Sequence, residues 1–188
     1  MPGSLCDDVL LRAMTRAALR REVAALREEV GELTRLARTE PLTGLANRRG
    51  WDEQLDRELA QARRSGRSVS VALLDLDDFK GFNDAHGHQA GDRLLVAAAA
   101  AWQGQLREGD VLCRWGGDEF AVLLPDCCED AAREIIARVT PTTPSLQSCA
   151  AGIAEWDGAE TSDELVWRAD AELLSHKRVR AYAELHGV

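Results

Sequence analysis

Val69-Ser-Val-Ala-Leu-Leu-Asp-Leu76 is an almost unbroken apolar run of strand length, and a run without alternation suits a strand buried on both faces. A strand covered on both sides needs helices on both sides, so this segment governs how its surroundings are read. Its C-terminal end carries Asp75, Asp77 and Asp78. Downstream, Phe79 to His86 reads as a short helix and Ala90 to Leu106 as a longer one with a small-residue face at Ala97 to Ala101. Asp110 to Trp115 and Glu119 to Leu124 read as short strands joined across Gly116-Gly117, a pair that tolerates the positive φ of a tight hairpin. Ala131 to Val139 is helical, Pro141 and Pro144 mark a loop, Ser148 to Glu155 is another strand, and a last helix runs from about Ser162 to Leu185. Helices and strands alternate, which predicts an α/β sandwich with helices over a central sheet.

Upstream, Pro41-Leu-Thr-Gly-Leu45 makes a turn before a helix that opens at Asn47, a good N-cap, and stops at Ser65-Gly66 after about Arg64. Leu5 to Arg38 contains no proline, is rich in Ala, Leu, Arg and Glu, and reads as one helix. Within it Leu19, Val23, Leu26, Val30, Leu33 and Ala37 alternate spacings of four and three, the pattern that keeps one seam facing a partner helix. Two readings stand: a dimeric coiled coil, or an amphipathic helix lying on its own domain. Gly31 weakens the helix by about 1 kcal/mol.

The 188 residues, 45% of them hydrophobic, suffice for one substantial core and an extension. A net charge of -9 leaves no cation surplus for a nonspecific grip on DNA or RNA, so an anionic ligand needs metal ions to bring it in. The five cysteines, at 113, 127, 128, 149 and 6, form no C-x-x-C pair and are odd in number, which speaks against zinc and a disulfide framework and for a reduced, cytoplasmic setting. Leu94 to Trp102, the longest greasy stretch, is far shorter than the ~20 residues a bilayer crossing needs. A membrane partner is not expected.

Acids gather in two places where a strand ends: Asp75 with Asp77 and Asp78, and Asp118 with Glu119 at the hairpin tip. Clustered carboxylates are costly unless compensated, and hard oxygen ligands from separate strands are what a magnesium site requires. Solvated strand-end aspartates are the plainer alternative for either patch alone.

The chain resembles a known family at this point. Arg114-Trp-Gly-Gly-Asp-Glu-Phe120 is similar to the signature that names the GGDEF family of diguanylate cyclases. Asp75-Leu-Asp-Asp-Phe-Lys80, then Asn83-Asp84 and Gly87-His-Gln-Ala-Gly-Asp92, resembles its second block; Leu42 to Arg49 resembles its opening turn and Ala169-Asp170 through Lys177 its final helix. Four ordered blocks over about Glu40 to Arg180 are far more specific than one five-letter word.

The resemblance implies a central mixed, mostly antiparallel five-stranded sheet covered by helices, of the nucleotidyl-cyclase or palm-like α+β kind. A long coiled-coil helix at 1–39 would precede a catalytic domain at 40–188. The implied activity is magnesium-dependent condensation of two GTP into cyclic di-GMP and two pyrophosphates, at a two-fold interface between domains. Two Mg2+ per site, or Mn2+, would be held by Asp75, the Leu76 carbonyl and Asp118, with Glu119 supporting the second. The general base stays open between Glu119 and a metal-activated hydroxyl. Asn83 and Asp92 would bond the guanine edge, and an aspartate there matches the N1–H and N2–H donors that adenine lacks. Lys80 and Lys177 would hold the terminal phosphates, each with an ordinary surface lysine as the competing reading. Arg107-Glu-Gly-Asp110 matches the family's R-x-x-D site for inhibitory binding of the product, against which stands a surface salt bridge.

The chain departs from the family pattern in places. Glu40 replaces an aspartate and is expected to pair loosely with Arg48 or Arg49; Leu174 replaces a tyrosine; and the second phosphate cation after Lys177 is missing, with Arg178 or Arg180 as substitutes. The Thr140 to Gln147 connection is shorter than usual. Two rivals remain open: a receptor that binds cyclic di-GMP through Arg107 and Asp110 without turnover, and a coiled-coil scaffold whose domain senses GTP.

Overall fold

The computed structural model describes residues 4–186, and two compact units divide the chain, Met1–Ala37 and Arg38–Val188. Helix α1, Ser4–Arg38, accounts for the first. Leu19, Val23, Leu26, Val30 and Leu33 on it are 38% to 60% exposed, so the seam read from the spacing is an exposed apolar stripe.

The second unit is built on a five-stranded sheet in the order β1-β3-β4-β2-β5. Its strands are β1 (Ala46–Asn47), β2 (Val69–Leu76), β3 (Val111–Gly116), β4 (Glu119–Pro125) and β5 (Cys149–Glu155). β1 runs parallel to β3 and the other pairings are antiparallel. The helices are α2 (Arg48–Ser65), α3 (Phe79–His86), α4 (His88–Gln103), α5 (Glu129–Val139) and α6 (Ser162–His186).

All eight residues of β2 are buried, as a central strand covered on both faces must be. Successive side chains go to opposite faces. Val71 and Leu73 join Trp51, Leu55 and Leu59 of α2 and Leu165, Ala169 and Leu173 of α6. Ala72, Leu74 and Leu76 join Leu94, Leu95 and Trp102 of α4 and Ala132 and Ile136 of α5. Asp75 shares the parity of Val71 and Leu73 and so leaves the sheet on the α2/α6 side. Gly152 lets α6 lie close on β5, because a β-carbon there would overlap the Ala169 carbonyl and the Leu173 amide of the helix.

Several boundaries differ from expectation. Two-residue β1 is a strand that periodicity could not reveal. α4 starts at His88 rather than Ala90, since Gly87, at φ 83°, both closes α3 and opens α4. It ends at Gln103 rather than Leu106, where Gln105 and Leu106 turn back onto the Trp102 and Gln103 carbonyls. α5 begins at Glu129 rather than Ala131. The Thr140 to Gln147 connection contains one 3-10 turn at Thr140–Thr142 and no strand.

Candidate active site

Antiparallel register sets Asp75, near the end of β2, opposite Glu119, the first residue of β4. Both share the parity of neighbours on the α2/α6 face, so the two carboxylates leave the same side of the sheet. Asp118 precedes Glu119 in the hairpin turn, and its carbonyl accepts the Leu76 amide at 3.4 Å. The turn is formed by Gly117 at φ 54°, a conformation glycine adopts at no steric cost. Asp118 is half-buried and Glu119 exposed.

Asp75 is 8% exposed. Burial pushes its carboxyl above the usual range; the Lys177 hydrogen bond and charge oppose that, and the charges of Asp118 and Asp77 add to it. Lys177 of α6 reaches Asp75 with Nζ 2.6 Å from Oδ1. One turn further, Arg180 Nη1 lies 2.6 Å from Asp77 Oδ2. Of the two cations proposed to replace the family's second phosphate ligand, Arg180 therefore stands with the acids. Asp78 takes no part in this cluster: at φ 48° it caps α3, accepting the Gly81 amide at 3.2 Å. Asp77 is held by its backbone, its amide donating to Ser148 O and its carbonyl accepting from the Gln147 side chain.

Among the described residues no group of three or more His, Cys, Asp and Glu side chains forms a ready metal cage. Magnesium does not demand one, since it is commonly held by one or two carboxylates plus substrate phosphates. Asp75 and Asp118, whose charges sense each other, and the Leu76 carbonyl fit that donor set. Burial pushes the thiol of Cys149, paired opposite Leu76, up to about 12.

The residues expected at the base stand on α3 and α4. Gly91 is buried against Asn83, and a β-carbon there would collide with Asn83 Oδ1. That oxygen is enclosed without a hydrogen-bond partner. Asp92, next to Gly91, is exposed, and so is Lys80 on the first turn of α3.

Glu40 corrects the sequence reading. Its partner is Arg114, with Nη1 3.1 Å from Oε1, rather than Arg48 or Arg49. Arg48 instead lies over the Trp115 ring at 4.7 Å and Arg49 pairs with Glu53. Burial works against the Glu40 charge, but the Thr43 hydroxyl, the Leu42 and Thr43 amides and Arg114 outweigh it and take the carboxyl down to about 2. Arg114 also donates from Nε and Nη2 to Gly117 O at 3.0 and 2.8 Å. Glu40 thus anchors the arginine that clamps the turn carrying Asp118 and Glu119. Glu40 and Thr43 are only three apart in sequence, whereas nothing local points to Arg114.

Arg107 and Asp110 bond each other. Arg107 Nε donates to Asp110 Oδ1 at 2.9 Å, its amide donates to Oδ2 at 3.1 Å, and its Nη2 donates to the Pro125 carbonyl. The Asp110 side chain is only 2% exposed. Beside the pair lies a cleft of about 320 Å³ that also takes in Cys127, Ile135 and Arg138.

The family model described as "Diguanylate cyclase, GGDEF domain" matches residues 37–181. Diguanylate cyclase DgcP of Pseudomonas aeruginosa is 34% identical over 171 residues, which are 86% of this chain and 26% of that protein. The response regulator PleD of Caulobacter vibrioides is 38% identical over 133 residues, 71% of this chain and 29% of PleD. Among solved structures, the coiled coil and GGDEF domain of DgcB from Caulobacter crescentus, in complex with c-di-GMP, is similar with a TM-score of 0.80 and 32% identity, covering 89% of this chain and 94% of that one. The chain spans only about a quarter of DgcP and of PleD.

Proposed function

Because the chain belongs to the GGDEF diguanylate cyclase domain family, whose model spans residues 37–181, we propose that residues 40–188 condense two GTP into cyclic di-GMP and two pyrophosphates. The observation that carries this reading is the register of Asp75 against Glu119, with Asp118 beside them and α6 cations on the acids. Each 3′-oxygen attacks the α-phosphorus of the other GTP, a new P–O bond forms, and pyrophosphate leaves with the broken one. One domain offers one nucleotide, so the reaction needs two domains face to face.

Asp75, Asp118 and the Leu76 carbonyl would hold the first of two magnesium ions, with Glu119 toward the second; manganese would suit the same oxygen donors. When bound, the ions polarise the α-phosphate and make the 3′-hydroxyl easier to deprotonate. Lys177 exchanges Asp75 for phosphate oxygens as the nucleotide enters, and Arg180 does the same from Asp77. Lys80 is the third phosphate cation. Asn83 donates to the base, while Asp92 accepts its N1–H and N2–H. Glu119 is the side chain nearest to the role of base.

Helix α1 pairs with that of a second copy as a dimeric coiled coil, which raises the concentration of one domain at the other. The product inhibits through Arg107 and Asp110, whose mutual bonds would open onto guanine in the cleft beside Arg138. Among the described residues no helix is long and apolar enough to cross a membrane. Incubation of the chain with GTP and magnesium tests the whole reading: cyclic di-GMP with pyrophosphate supports it, tight product binding without turnover makes the domain a receptor, and GTP binding alone makes it a sensor.

A further inference from the structure

β5 is an edge strand, and the outer groups of an edge strand must find partners or water. Here α6 supplies them. Arg168 Nη2 donates to the Glu155 carbonyl, Glu172 Oε2 accepts the Ile153 amide at 2.5 Å, and His176 Nδ1 donates to the Ala151 carbonyl at 2.7 Å. A carbonyl only accepts, so Nδ1 carries the ring proton in this contact. The three side chains are four residues apart on the helix, and their targets two apart on the strand, running the opposite way. Four helical residues rise about 6 Å and two strand residues about 6.7 Å. The two periods match closely enough for consecutive rungs to form. Arg180, the next residue of the same row, makes the bond to Asp77. The neighbouring row, Leu165, Ala169 and Leu173, packs on the sheet and continues into Lys177 above Asp75.

We propose that Glu172 and His176 are positioning residues: through the β5 edge they fix how far along the sheet α6 sits, and so hold Lys177 and Arg180 beside Asp75 and Asp77, where the triphosphate enters with its metal ions. Apolar burial is non-directional, so the Leu and Ala contacts by themselves leave the helix some residual axial freedom. Hydrogen bonds to alternate strand groups remove that freedom. Glu172 is itself braced, with Arg133 Nη1 of α5 2.8 Å from its Oε1, whereas His176 is the last rung before the phosphate cations.

This rests on the reading of the site as one for magnesium and GTP. The test is equilibrium binding of the α,β-methylene analogue of GTP, with magnesium, to the full chain and its variants. His176→Ala is expected to bind it about three- to tenfold more weakly. His176→Asn, whose Nδ2 takes the place of Nδ1, should return affinity to within about twofold of wild type. Ser175→Ala, exposed on the same turn, is the control and leaves binding unchanged. The His176 side chain is 52% exposed, so these substitutions leave the core intact, and thermal unfolding of each variant checks that it is folded. Unchanged affinity in His176→Ala, or an Asn variant no better than Ala, overturns the inference. A wild-type chain that binds the analogue yet makes no cyclic di-GMP overturns the proposed reaction and leaves this inference to be decided by the affinity ratios; one that binds no analogue overturns both.

Discussion

Lys177 Nζ stands 2.6 Å from Asp75 Oδ1, so the most buried acid of the site has its counter-charge from the last helix. A buried carboxylate beside two other acids would otherwise be expensive. Under the proposed reaction, Lys177 would turn from Asp75 to a phosphate and leave the carboxylate to hold a divalent cation. The same logic holds one turn on, at Arg180 and Asp77.

Glu40 tests whether the signature turn is braced from outside. Its carboxyl lies at about 2 against an ordinary 4.5, so it stabilises the fold fully above pH 4.5 and loses that contribution as pH falls from 4.5 through about 2. Glu40→Gln should lower unfolding free energy at pH 7 by about 1–3 kcal/mol. Urea titrations at pH 7 and pH 3 check this: the gap between wild type and variant narrows at the lower pH. An equal gap at both would remove the ionic part of the account.

Arg107→Ala should leave the initial rate of turnover close to that of wild type and remove the slowing that follows as product accumulates. Progress curves with and without added cyclic di-GMP read this directly. Because Asp110 would keep the amide of residue 107 but lose the guanidinium, a stability loss of about 1–2 kcal/mol is expected with it. Inhibition that survives the substitution would reduce the pair to a salt bridge.

Leu26 lies in the middle of the α1 seam and is 54% exposed. Leu26→Glu sets a charge at the seam and should convert a dimer to a monomer in light scattering at micromolar concentration. Turnover per chain should then become strongly dependent on protein concentration. A wild-type chain that is already monomeric, or a variant as active as wild type when dilute, contradicts the coiled-coil role.

What the sequence reveals and hides follows from the range of the forces involved. β2 and α3 were read with their observed bounds, because burial on both faces and flanking acids and glycines are local signals. Asn47 likewise caps α2, accepting the Gly50 amide. β1 is two residues held by its pairing with β3, and two residues have no period. The acids were legible because a motif names them, whereas Arg180 and Asp77 are 103 residues apart and nothing local joins them. Arg168, Glu172 and His176 look in sequence like the wet face of a helix. Only the position of β5 turns that polar row into an edge cover.

The account stands or falls on acids from β2 and the β3–β4 turn acting together on a nucleotide. The direct measurement is cyclic di-GMP and pyrophosphate formed from GTP and magnesium by the full chain and by Asp118→Ala in parallel, with thermal unfolding to show that both are folded. Two pyrophosphates per cyclic di-GMP from wild type, and a rate lower by about 100-fold or more in the variant, is the result expected. An Asp118→Ala chain that turns over GTP as fast as wild type would contradict it.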